Sequence, residues 1–108
     1  MNEARSIISK LEIMCFECAT QEYEDYKNGN YLRESTKKHF DKLKKSNISD
    51  IVGRYADDLY NDKNFLMDVI GDEVYGKNNS LEILKDLVKI NPFPAMKSAV
   101  NNLIAEGI

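Results

Sequence analysis

The sequence predicts an all-α fold: a single compact domain over residues 1–108, bundle-like, of six or seven short helices. Three observations predict it. Apolar residues recur at spacings of three and four along most of the chain, no stretch sustains strand-type alternation, and the breaks between periodic segments are short and rich in Asn, Gly or Pro. The composition, 43% apolar beside 31% charged, is that of an ordinary globular chain, and 108 residues suffice to bury about 65% of the unfolded surface around one core.

In the first helix, Ala4, Ile7, Ile8, Leu11, Met14, Cys15 and Cys18 share one stripe. An acidic, tyrosine-bearing run, Gln21 to Lys27, extends it until Asn28-Gly29-Asn30 stops it. Leu32, Thr36, Phe40 and Leu43 mark the narrow apolar edge of a basic second helix that fades at Ser46-Asn47. Ser49 is the expected cap of a third helix buried through Ile51, Val52, Tyr55 and Leu59. Its Gly53 costs about 1 kcal/mol relative to alanine and allows close packing.

Asp62 can cap a fourth helix with Phe65, Leu66, Val69, Ile70 and Val74 inward, and Gly76 stands just past its end. Asn79 and Glu82 have capping-box spacing ahead of a fifth helix with the stripe Leu81, Leu84, Leu87 and Val88. Pro92 and Pro94 break the chain and start a last helix with Met96, Ala99, Val100, Leu103 and Ile104 inward and Gly107 closing.

Several functions are excluded by chemistry. Gly71 to Lys77 has the glycine and lysine spacing of a phosphate-binding loop, but Asn78 replaces the hydroxyl that would hold Mg²⁺, and Asp72 and Glu73 put negative charge inside it. Cys15 and Cys18 form a C-x-x-C within the apolar stripe of a helix, where they read as small buried hydrophobes. No cofactor or metal is expected: His39 is the only histidine, and Leu59 and Phe65 fall where a calcium loop needs oxygens. Asp41, two residues from His39, points elsewhere on a helix, so no nucleophile and base are paired and no enzyme activity is expected. The last helix offers only Lys97, Ser98, Asn101 and Asn102 for base readout, and two cysteines with no leader or spanning segment point to the cytoplasm and to no membrane role.

What stands out is segregated charge. Residues 46–75 hold seven acidic against two basic residues, whereas residues 33–45 hold six basic against two acidic. The expected partner-binding residues are Asp57, Asp58, Tyr60, Asp62, Asp68, Asp72, Glu73 and Tyr75, joined by Glu22, Tyr23, Asp25 and Tyr26. Such a surface suits a basic protein partner, a toxin or nuclease domain, and the expected function is a non-catalytic immunity protein or antitoxin. The alternative is a nucleic-acid-associated regulator using Arg33, Lys37, Lys38, Lys42, Lys44 and Lys45, although these spread around their helix and a net charge of −3 makes nucleic acid a poor partner.

Overall fold

The computed structural model describes residues 2–30, 33–43 and 47–107. These form six helices: α1 (Asn2–Lys27), α2 (Glu34–Leu43), α3 (Ile48–Tyr60), α4 (Lys63–Val74), α5 (Ser80–Ile90) and α6 (Pro94–Ala105). The all-α bundle is the fold the periodicity implies. None of the helices among the described residues is long and apolar enough to cross a membrane.

α1 is the spine. Its 26 residues span about 39 Å of an envelope measuring 46 × 22 × 20 Å. The radius of gyration, 15.3 Å, exceeds the roughly 13 Å typical of a globular chain this long, because the other helices pack at two places along that spine. Toward its N-terminus, Ala4, Ile7 and Leu11 join Leu66, Ile70 and Val74 of α4, Leu84 and Leu87 of α5, and Met96, Val100 and Leu103 of α6 in one core. Farther along, Cys15 and Ala19 are buried where α1 meets α3, and Phe40, Ile51 and Val52 are buried on α2 and α3; all five lie outside that first core.

The helix ends show which local signals operate. Asp62 Oδ1 accepts from the Asn64 and Phe65 amides at 2.9 and 3.3 Å, and Gly76 stops α4 at φ +78°, a left-handed turn that glycine enters without strain. α3 starts earlier than Ser49 implies. Asn47 is the cap, its Oδ1 accepting from Asp50 N at 2.9 Å, which puts Ser49 inside the first turn. The expected capping box at α5 does not form, since Asn79 makes no cap bond and its Nδ2 donates to Glu3 Oε1 at 3.0 Å. With Lys77 Nζ also on Glu3 at 3.3 Å, the amide and the ammonium hold the Glu3 carboxyl below its ordinary range.

Two packing expectations also shift. α5 turns Ile83, Leu84 and Leu87 inward, and at about 100° per residue Leu81 falls beyond that arc and stays 45% exposed. Ile104 is likewise exposed on α6. Gly53 does not serve close packing within the chain: no heavy atom lies within 4 Å of a Cβ built on it.

Candidate partner-binding surface

The surface is built where α1 changes character, past Cys18. From there α1 offers Glu22 and Asp25 on one side and Tyr23 and Tyr26 close by. The tyrosines are spent largely on packing. Phe40, 0% exposed, sits among the rings of Tyr23, Tyr26, His39 and Tyr55, with centroids at 5.4, 5.3, 5.6 and 5.1 Å. Such edge-on and tilted contacts suit aromatic quadrupoles and fix α2 against α1 and α3. The Tyr26 hydroxyl donates to Asp41, which Lys37 also reaches at 3.2 Å, and burdening the phenol with that carboxylate raises its pKa. Asp41 thus faces α1, away from His39.

Beside this cluster lies a cleft of 330 Å³. α1 contributes Cys18, Glu22 and Asp25; α3 contributes Tyr55 and Leu59; the α3–α4 turn and α4 contribute Asp62, Asn64, Phe65 and Asp68. Arg33 and Thr36 close it from the α2 side. Spacing explains the convergence: Cys18, Glu22 and Asp25 fall at i, i+4 and i+7, and Asp62, Phe65 and Asp68 at i, i+3 and i+6, so each set shares a helix face. Four carboxylates therefore look into one depression against a single guanidinium. Burial, and then hydrogen bonding with Glu22, push the Tyr55 phenol up to about 12, so it stays protonated at neutral pH. Glu22 lines the cleft, and its Oε2 is buried with no hydrogen-bond partner among the described residues.

The structure divides the twelve residues expected to bind a partner. Glu22, Asp25, Asp62 and Asp68 come together in the cleft, and Tyr23 and Tyr26 brace it. Asp57 and Asp58 lie exposed on α3, with Asp58 Oδ2 at 3.5 Å from His39 Nδ1. Tyr60 is half-buried and its hydroxyl accepts from Asn91 Nδ2, burial raising its pKa. Asp72, Glu73 and Tyr75 sit at the other end of α4, outside the cleft, where Glu73 pairs with Lys10 at 3.1 Å and Tyr75 is 82% exposed. Sequence reasoning did not place Cys18, Thr36, Tyr55, Leu59, Asn64 or Phe65 at this surface and gave Arg33 only to the basic helix; the i, i+4, i+7 series Tyr55, Leu59, Asp62 was the available signal on the α3 side.

The basic helix offers no common stripe. Arg33 faces the carboxylates of the cleft, Lys37 is bonded to Asp41, Lys38 and Lys42 are exposed, and Lys44 and Lys45 lie outside the described residues. Both cysteines are free; burial pushes the Cys15 thiol up to about 11 and raises that of Cys18, the reverse of what a redox pair needs. His39 Nε2 is buried without a hydrogen-bond partner among the described residues, while its Nδ1 lies 3.5 Å from Asp58 Oδ2. The cleft carboxylates line its walls without converging on a point: among the described residues no group of three or more His, Cys, Asp or Glu is placed to hold a metal ion. An extended cation such as a guanidinium fits that spread better than a spherical ion does.

Compared with family models, with curated proteins and with solved structures, the chain matches none.

Proposed function

We propose that the protein is a non-catalytic binding protein that captures a basic protein partner, with the cleft between α1, α3 and α4 receiving Arg or Lys side chains of that partner. The observation that carries this reading is the gathering of Glu22, Asp25, Asp62 and Asp68 around the single Arg33, with one Glu22 oxygen buried and unpartnered. Bringing four carboxylates together raises the local negative potential, and an arriving cation relieves it. Charge-assisted hydrogen bonds from a guanidinium are stronger than neutral ones and are directional, which adds specificity.

The most concrete version is an immunity protein or antitoxin acting on a bacterial nuclease toxin. Nuclease sites are lined with Lys, Arg and His to hold phosphates, so a surface of carboxylates and phenols can occupy them in place of nucleic acid, and complementary charge speeds encounter. Inhibition of this kind requires a fitted surface and no reaction.

The test is affinity capture from the native cell with the wild-type chain and with the variant Asp25→Asn, Asp62→Asn, Asp68→Asn. Asparagine at 62 keeps the capping oxygen of α4 while removing charge, and Glu22 is left in place because it faces Tyr55. A basic protein retained by the wild type and lost by the variant is the expected result. Equal retention by both, or retention of nucleic acid in place of protein, would refute the reading.

A further inference from the structure

A second depression, between α1 and α3, has no part in the acidic cleft. Glu12, Cys15 and Phe16 of α1 and Gly53, Ala56, Asp57 and Tyr60 of α3 line a groove of 540 Å³, closed at one end by Phe93 from the α5–α6 link. On each helix the groove residues are centred roughly 100° or more around the axis from the centre of the cleft residues, with Cys15 and Ala56 on the boundary between the two faces.

Three observations mark this groove as a place where polypeptide docks. Phe16 and Phe93 stand at its rim 55% and 56% exposed, two large apolar rings left in water. Gly53 occupies the interior of α3, where glycine is the poorest helix former after proline, yet its φ is not positive and nothing in the chain lies within 4 Å of where a Cβ would be. Neither the backbone nor the packing of this fold requires glycine there. Its remaining effect is to leave bare helix backbone as the groove floor, so that an incoming group can approach closely. The charge is one-sided as well: Glu12 and Asp57 line the groove, and no Lys, Arg or His does. Tyr60 at its wall is held in place by Asn91, a buried side chain.

We propose that this groove is a docking site for a polypeptide segment presenting a Leu or Phe side chain flanked by Lys or Arg. The apolar side chain lies over Gly53 between Phe16 and Phe93, and the flanking cations meet Glu12 and Asp57. Charge selects this occupant over a second copy of the same chain, because a two-fold contact through the groove would set its carboxylates against their own counterparts on a chain of net charge −3. The proposal stands apart from the acidic cleft and survives if that cleft proves idle.

The experiment is selection of a random peptide display library on the full chain, counter-selected on Gly53→Leu, whose Cβ meets no protein atom and whose longer side chain extends over the groove floor. Selected peptides should carry Leu or Phe between basic residues, shift the amide resonances of Gly53, Ala56 and Phe93 on titration, and bind Gly53→Leu or Glu12→Lys/Asp57→Lys about tenfold or more weakly. Gly53→Ala should melt higher than wild type, confirming that the fold does not need the glycine. Peptides without that pattern, peptides that bind all variants equally, or a wild-type dimer dispersed by Gly53→Leu would each overturn the proposal.

Discussion

Replacing Phe40 with alanine should detach α2 while leaving the rest of the bundle folded. α2 buries only Thr36 and Phe40, and Phe40 is the ring on which Tyr23, Tyr26 and Tyr55 converge. A fully buried phenylalanine removes about 200 Å² from water, worth roughly 5 kcal/mol at 25 cal/mol per Å², and phenylalanine-to-alanine changes in cores cost about 3–5 kcal/mol. A ten-residue helix is marginal by itself, so the loss falls on the docking of α2. The core of Ala4, Ile7 and Leu11 with α4, α5 and α6 contains no α2 residue and should keep its protection. Amide hydrogen exchange reads this directly: at 1.4 kcal/mol per decade, α2 protection should fall by roughly two to three decades, limited by what the wild type has to lose. Because Arg33 and Thr36 form one wall of the acidic cleft, partner capture should weaken in parallel. Unchanged protection in α2, or equal loss of protection in every helix, would refute the two-place packing along α1.

Other expectations follow from the same geometry. Asp62→Ala should destabilise by about 1 kcal/mol through loss of the α4 cap, whereas Asp62→Asn should melt near wild type; urea titrations separate the two. With Tyr55 raised from 10 to about 12 in the fold, its neutral form contributes stability that is complete below pH 10 and is lost as pH rises toward 12. Alkaline denaturation of Tyr55→Phe, followed with tyrosinate absorbance, should therefore show less pH dependence across that window. Thiol labelling at neutral pH should be slow in the native chain, with half-buried Cys18 reacting ahead of buried Cys15 and both reacting quickly in denaturant.

Local signals were read successfully where the partner of each group is also local. The stripe from Ala4 to Cys15, the Asp62 cap and the Gly76 stop depend on residues within a turn or two and stand as the sequence implies, whereas Cys18, expected to be buried, is half-buried at the cleft and Ala19 continues the buried face. Signals failed where a distant residue competes. Asn79 has the right spacing to cap α5, but its amide goes to Glu3, at the opposite end of the chain sequence, and no periodicity reveals that. The choice of Asn47 over Ser49 turns on which of two good capping residues lies where the backbone is extended. At the candidate surface, the faces on α1 and α4 are each visible as helical spacing, yet their meeting depends on α1 packing against both α3 and α4. Tyr23 and Tyr26, read as surface phenols, turn out to be half-buried and to brace Phe40, because α2 lays that ring beside them.

The most direct measurement of the central claim is the association rate between the chain and its captured partner at low and at physiological salt, for wild type and for the variant Asp25→Asn, Asp62→Asn, Asp68→Asn. A cleft that receives basic side chains predicts fast wild-type association that slows as salt rises, and a variant that is slower and nearly indifferent to salt. Equal rates and equal salt dependence for the two proteins would contradict it.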